Sequence, residues 1–394
     1  MPNPQDPWDA VELTRSLVGI NSENPTGSEA EMAAFVSGRL RELPRVEVQV
    51  VEVQPGRPNV IARLAGSSDL CPLAFVAHMD TVPFGAGWQR SPTSGDIVDG
   101  KLFGRGSCDM KSGLAVAMSA LAHAAMRGGE PKRTLMVCAT MDEEGAQMQG
   151  VNHLVDTGVL DARAWVIATE PSDLKVIVAH KGLVWIEVEV HGRSAHAGNP
   201  QVGVDAIRAA GEFIVELKRL VDAIGHNHPR LGRTEVTFSG FVGGIKTNVV
   251  PEYARLELDI RVPPPLGVAD VHSLIAQASR AAEARVPGSR FSHRQFNNDR
   301  PPVEADVDGE FAQTLLGCVQ TVVGGEPETA IIPAYTDASV AQARTGNRNC
   351  LVFGPGRLTE AHITDEYVPV RHIEQAVRVL DELVGRTVFR ARDA

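Results

Sequence analysis

The stretch LAFVAHMDTVPFGAGWQRSPTSGDIVDGKLFGRGSCDMKSG, residues 73–113, decides how the chain is read. It opens on a short apolar run, Leu73 to Ala77, whose length and composition predict a buried strand. The run ends on His78, a methionine and Asp80. Further on, the glycine-rich turn GRGSCDM (104–110) presents Asp109 ahead of SGLAVAMSALAHAAM (112–126), a segment of helix-forming composition. Imidazole and carboxylate donors on a strand end and a tight turn suit a hard-to-borderline divalent cation. Taken alone, the same residues also read as an ordinary turn with satisfied polar groups.

The neighbouring segments favour the metal. TLMVCAT (134–140) and AWVIAT (164–169) predict two more strands, with a helix near 147–157 between them. Strands alternating with helices predict an α/β fold with a mainly parallel sheet covered by helices. The first strand runs into His78, the second reaches Glu143 and Glu144, and the third ends at Glu170. Ligands of open α/β sheets bind beyond the carboxyl ends of the strands. Three separate strands thus deliver metal-type donors to one edge. Upstream, Asp6-Pro7 predicts a helix start running to about Gly19, and Ser28 with Glu31 a capping box for a second helix to about Leu43. VEVQVVEV (46–53) and NVIARL (59–64) predict a half-exposed pair of strands.

Near Ala179 the texture changes. LVWIEVEV (183–190) alternates, 203–222 is helical, TEVTFSGFVGG (234–244) and 248–262 are strand-like, 268–286 is helical, and a short strand lies near 290–296. This β-α-β-β-α-β order predicts a ferredoxin-like module with an antiparallel sheet, inserted as residues 179–297 into a domain formed by 1–178 and 298–394. In the returning part, helices are expected at 308–322, from Thr336-Asp337 and from about 371, with a strand NCLVF (349–353) between the last two. That strand leads through GPG (354–356) to His362.

Composition excludes several classes. A chain of 394 residues has room for two domains, and a net charge of −11 argues against nucleic acid or an anionic membrane surface as partner. Five scattered cysteines without C-x-x-C spacing point to free thiols in a reducing compartment. No apolar leader and no membrane-length apolar run is visible, so a cytoplasmic location is expected.

In order, AHMDTVP (77–83), GRGSCDMKSG (104–113), MDEEGAQ (141–147), ATEPS (168–172), GRSAHAGNPQVGVDAI (192–207), KTNVVP (246–251), DIRVPP (259–264) and GPG with AHITDEYV (354–368) resemble the M20 family of dinuclear zinc peptidases and deacylases. That group includes acetylornithine deacetylase, succinyl-diaminopimelate desuccinylase, aminoacylase-1 and glutamate carboxypeptidase. The resemblance covers nearly the whole chain and implies two divalent ions. The N and O donors suit zinc, and also cobalt or manganese. It makes Asp109 the bridging carboxylate, with His78 and Glu170 on one ion and Glu144 and His362 on the other. It makes Asp80 the carboxylate that orients the His78 imidazole, and Glu143 the general base acting on the bridging water.

For the inserted domain the resemblance implies a lid and dimerisation role, with His196 stabilising the oxyanion, commonly in the neighbouring subunit's site. Asn248 and Arg261 would bind the substrate carboxylate or the intermediate, since Arg suits bidentate capture. Gly356 would offer a backbone N–H to substrate, and Lys181 would mark an interdomain hinge. Cys108 reads as packing, and His123, His153, His226 and His228 as surface or core. The expected activity is removal of an acyl group from an N-acyl amino acid, with a dipeptidase or carboxypeptidase of the same family as alternative. From other classes, a catalytically inactive metal-binding scaffold and a metal-free ligand-binding protein are the competing readings. IPAYTDASVAQ (332–342) and GPGRLTEAH (354–362) resemble the deacetylase and desuccinylase branch.

Overall fold

A computed structural model describes residues 6–25 and 29–389. The capping box expected at Ser28 lies outside the described residues. The chain divides into two compact units: Met1–Val178 with Glu304–Ile332 and Thr336–Ala394, and Ala179–Val303 with Pro333–Tyr335.

The first unit begins with helices α1 (Ala10–Val18) and α2 (Glu29–Leu40). Asp9, not Asp6, caps α1: its carboxylate accepts from the N–H groups of Val11 at 2.9 Å and Glu12 at 3.1 Å. Asp6 instead closes the preceding turn by accepting from the Trp8 N–H, which moves the helix start past Pro7. Strands β1 (Val46–Gln54), β2 (Arg57–Leu64), β3 (Leu73–His78), β4 (Ile97–Val98) and β5 (Lys101–Phe103) follow, then α3 (Ser112–Met126), β6 (Leu135–Thr140), α4 (Gln149–Asp156), β7 (Trp165–Ala168) and β8 (Val176–His180).

The second unit holds β9 (Gly182–His191), α5 (Ala206–Asp222), β10 (Glu235–Gly243), β11 (Tyr253–Val262), α6 (Val268–Arg285) and β12 (Arg290–Gln295). Its sheet runs β10-β11-β9-β12 with every pair antiparallel. Period-two burial on β11 turns Ala254, Leu256, Leu258, Ile260 and Val262 toward α5 and α6. Each large apolar side chain so buried contributes about 1.5–3 kcal/mol. Residues 248–252 are not strand, contrary to expectation. Pro251 has no N–H to donate to a ladder, and the residues before it pair with the 195–197 loop, Val250 N–H donating to the Ala195 carbonyl.

The chain then adds β13 (Val303–Glu304), α7 (Glu310–Val323), β14 (Thr329–Ile332), α8 (Asp337–Thr345), β15 (Cys350–Val352), β16 (Tyr367–Pro369) and α9 (Val370–Val384). The large sheet runs β1-β2-β6-β3-β7-β15-β8-β13, with β14 on β8. Its centre, β6-β3-β7-β15, is parallel, while β1, β2 and β8 join antiparallel at the flanks. All residues of β3, β6 and β7 are buried, as continuous apolar runs in a doubly covered parallel sheet should be. Leu73, Phe75, Ala77, Leu135, Val137 and Ala139 share a core with α1, α2, α3, α7 and α9, and α8 packs on β3, β7 and β15. β2 departs from the half-exposed expectation: Pro58 to Ala62 are buried, because β1 and β6 flank it and α2 packs on it. β1, the edge strand, keeps the alternation. Among the described residues no helix is long and apolar enough to cross a membrane.

In α3 only His123 and Met126 escape burial, which explains a sequence apolar all round rather than striped. His123 is half-buried between Asp381 (2.9 Å) and Asp6 (3.4 Å), so its ring ties the N-terminal turn to α9. At the other end of α3, a Cβ on Gly113 would lie 1.9 Å from the Thr169 carbonyl oxygen. This close approach seats the helix start, and Asp109 before it, against the end of β7. Gly113→Ala should therefore destabilise the protein by about 1–3 kcal/mol through overpacking, measured as a lower midpoint in urea unfolding with an unchanged slope.

Candidate metal centre

Six side chains from five segments meet in the first unit. His78 is the last residue of β3, Asp109 lies in the tight 107–111 segment before α3, Glu143 and Glu144 follow β6, and Glu170 follows β7. The fifth segment, between β15 and β16, carries His362. Asp109 is divided between the two imidazoles: Oδ1 lies 3.1 Å from His78 Nε2, and Oδ2 lies 3.2 Å from His362 Nε2. Glu170 Oε1 is 3.7 Å from His78 Nε2, and Glu144 Oε1 is 3.0 Å from His362 Nε2. Glu143 Oε2 approaches His78 Nε2 to 3.9 Å. His78, Asp109 and Glu170 are buried, whereas His362 is exposed on one side.

The electrostatics follow from packing so many carboxylates out of water. Burial, with Asp109 adding like charge, pushes the Glu170 pKa well up, and burial does the same to Glu143, where His78 opposes and Glu144 assists the rise. Burial alone would lower the His78 pKa, but Glu170, Asp109 and Glu143 overcome it and hold that imidazole well above its ordinary value. Hydrogen bonds to Asp109 and Glu144 raise His362 to about 11. Asp109, despite its burial, is held far below the carboxylate range by His362 and His78.

The donor set fits a pair of divalent ions. A tetrahedral zinc with ligands at about 2.0–2.2 Å sets its donor atoms about 3.3–3.6 Å apart, close to the spacings around Asp109. His78, Asp109 and Glu144 form one group whose ligand atoms all lie within 4.8 Å, and His78, Glu143 and Glu170 form another. Glu143 therefore belongs to the cluster by distance, and distance alone does not divide ligand from base.

Asp80 has partners other than those expected. The His78 Nδ1–H donates to the Asp80 backbone carbonyl at 2.9 Å, and the Asp80 carboxylate is 3.6 Å away. That carboxylate, fully buried and raised to about 6 mainly by burial, accepts from the N–H groups of Glu143 and Glu144, each at 3.1 Å, and from Asn24 Nδ2 at 2.8 Å. It thus pins the turn that carries the two glutamates. Asn24 also reaches Asp142, which Arg57 holds in turn, and Arg57 pairs with Glu29. Asp142 adopts φ +62° and His362 φ +61°, left-handed conformations that a non-glycine residue holds only where its surroundings impose them.

The remaining predicted residues sit elsewhere. Gly356 is buried, with φ +85° and no room for a Cβ, which would lie 2.6 Å from Cys108 Sγ. Its carbonyl accepts from Asp173 N–H, and Cys108, buried as expected, donates to the Arg357 carbonyl. His196, Asn248 and Arg261 belong to the second unit. His196 and Asn248 are neighbours and exposed, joined by the Ala197 N–H to Asn248 carbonyl bond. Arg261 stands apart from them, its fork held by Asp259 at 2.6 and 2.9 Å and by the Pro333 carbonyl. Lys181 donates to the Arg233 carbonyl and Glu235. Asn24, Arg57, Arg105 and Glu366 also surround the cluster, and of these only Glu366 carries a signal in the sequence, the Asp-Glu pair inside AHITDEYV.

The family described as "Peptidase family M20/M25/M40" matches residues 74–386. An acetylornithine deacetylase of Salmonella arizonae is 30% identical over 95% of this chain and 96% of its own. A Staphylococcus epidermidis protein named "Probable succinyl-diaminopimelate desuccinylase" is 28% identical over 91% and 93%. A tripeptidase structure from Staphylococcus aureus, 20% identical, superposes with a TM-score of 0.80 over 98% of this chain and 99% of that one. With a match running from β3 to the end of α9 and embracing the whole His, Asp and Glu cluster, the chain belongs to peptidase family M20/M25/M40 and is a hydrolase of amide or peptide bonds.

Proposed function

We propose that the protein removes the acyl group from an N-acyl amino acid, using two divalent ions, zinc first, held around Asp109. The observation that carries this is the division of one buried carboxylate between two imidazoles, each with its own glutamate. His78 and Glu170 would hold one ion, His362 and Glu144 the other, and Asp109 both. Two such ions would supply an activated water and a polarised amide carbonyl. Glu143 then takes the proton of the attacking water on its carboxylate and returns it to the leaving nitrogen. Its raised pKa, from burial and from Glu144, suits a group that must hold that proton and release it. The deacylase reading is preferred to a dipeptidase or carboxypeptidase because the sequence relatives at 28–30% identity carry deacetylase and desuccinylase names.

The inserted unit supplies the substrate side in this reading, and acts as a dimerisation domain. His196 Nδ1 accepts from the Gly198 N–H, so in the neutral ring Nε2 carries the hydrogen and can donate to a developing oxyanion. Strand β10 is the edge of its sheet and exposes Phe241 and Val242, with Ile245 beyond it 87% exposed. An apolar edge strand is a surface on which a second copy can pair. Five free cysteines, four of them buried, agree with a reducing, cytoplasmic compartment.

Without ions, His78 and His362 hold protons at neutral pH, their pKa values being raised; metal binding must displace them. Zinc affinity should therefore rise with pH across the neutral range, with proton release detected by calorimetry in buffers of different ionisation enthalpy. Equal heats in all buffers would contradict the ligand roles of the two histidines. Glu143→Ala should keep two ions per chain, by elemental analysis, yet lower kcat on N-acetyl or N-succinyl amino acids about 10²–10⁴-fold. Retention of the parent rate would remove Glu143 from the mechanism. Finally, mixing inactive His196→Ala and Glu143→Ala chains should restore part of the activity if His196 serves the neighbouring copy's site, and none if it serves its own.

A further inference from the structure

Beside Asp80, one other fully buried carboxylate near the cluster is neither a proposed ligand nor the base. Glu366 is 0% exposed, and every hydrogen bond of its carboxylate is aimed at the metal-binding loops. Oε1 accepts from the backbone N–H of Cys108 at 2.9 Å and of Asp109 at 3.1 Å. Oε2 accepts from Arg105 Nη1 at 2.5 Å. Arg105, itself buried, then donates to the carbonyls of Pro83 and Phe84 in the loop beyond His78 and Asp80, and to that of Ile363, the residue after His362. Its guanidinium lies over the Trp88 ring, 5.2 Å from the centroid.

Backbone pairing sets this up. β16 pairs antiparallel with β5, Tyr367 opposite Phe103, and the Gly104 N–H donates to the Glu366 carbonyl. The ladder thus sets Glu366 beside the turn that carries Asp109, although more than 250 residues separate them in the chain. A carboxylate buried this completely costs several kcal/mol unless it is paired and hydrogen-bonded. It is retained here on the one stretch of backbone whose position decides where the two oxygens of Asp109 fall.

We propose that Glu366, clamped by Arg105, is a positioning residue for the dinuclear centre: it fixes the Asp109 backbone and the His362 loop together, so that Asp109 bridges. This rests on the metal-centre reading above. Removing the pair should loosen the bridge while leaving all five donors and Glu143 in the chain. Outer partners of this kind, when mutated, typically cost about 10–100-fold in metal affinity or activity.

The test uses the full-length protein loaded with cobalt, whose visible absorption and magnetic coupling report the ligand field and the bridge. Glu366→Gln keeps an acceptor for the two N–H groups but turns an NH₂ toward Arg105, so the guanidinium must let go. The expected result is two cobalt ions bound, a changed absorption band, weakened coupling between the ions, and kcat lowered about 10–100-fold with KM within about twofold. A parent-like spectrum, coupling and kcat would overturn the positioning role while leaving the metal centre intact. A parent protein that binds no cobalt would instead sink the metal-centre reading itself. Should Glu366→Gln not fold, Arg105→Lys decides: it keeps the charge opposite Glu366 but forfeits the bonds to Pro83, Phe84 and Ile363. A smaller change of the same spectral signature supports the proposal, and an unchanged spectrum and coupling overturn it.

Discussion

The structure depends on how charge is buried at one end of its central sheet. Asp80, Asp109, Glu143, Glu144, Glu170 and Glu366 all crowd the C-terminal ends of β3, β6 and β7 or the loops beside them. Each would cost several kcal/mol if left alone in that environment. Every one is given either a cation or backbone N–H donors: Asp109 two imidazoles, Asp80 two N–H groups and Asn24, Glu366 two N–H groups and Arg105. Glu143 and Glu170 have the least compensation, with His78 as their shared cation. The surplus negative charge left at that point is what divalent cations neutralise, and it gives the cluster a physical reason to bind them.

Two layers of support can be told apart. Asp80 fixes the Glu143–Glu144 turn from the β2 side, backed by Asn24, Asp142 and the pair between Arg57 on β2 and Glu29 on α2. Glu366 and Arg105 fix Asp109 and the His362 loop from the other side. The donors themselves sit on strand ends and short turns. Those positions move little, since β3, β6 and β7 are buried along their whole length and Gly113 allows α3 to close on Thr169.

His78, Glu143, Glu144 and Glu170 are legible in sequence because each follows directly on an apolar run, whereas Asp109 and His362 stand out only through the resemblance of their motifs. An apolar run ending in His or Glu is visible without any knowledge of the partner strand, and α3, β3 and β6 fall where the pattern sets them. The supporting layer was not legible, because its members are defined by who meets whom. Glu366 looks like any acidic residue in a polar loop until β16 pairs with β5. Asp80 was expected to hold the His78 ring, yet the ring takes the Asp80 carbonyl and the carboxylate serves the next turn. β2 looked half-exposed because its flanking strands lie elsewhere in the chain. The start of α1 was misplaced because Asp6 and Asp9 are equally good caps on paper, and local hydrogen bonding chooses between them.

Substrate choice obeys a different rule from metal binding. The cluster is built from His, Asp and Glu alone, and one fold can host several chemistries, so deacylases and peptidases can share it. In the proposed reading, what they select is decided by positions in the second unit, where residue type alone says less. Arg261 illustrates this. Its Nε and Nη2 groups already hold both oxygens of Asp259, and Nη1 holds the Pro333 carbonyl. A substrate carboxylate that reaches Arg261 is therefore captured in competition with Asp259, and contributes only the difference between the two ion pairs. Selectivity in this reading comes less from the presence of an arginine than from how far the incoming carboxylate outbids the one already bound.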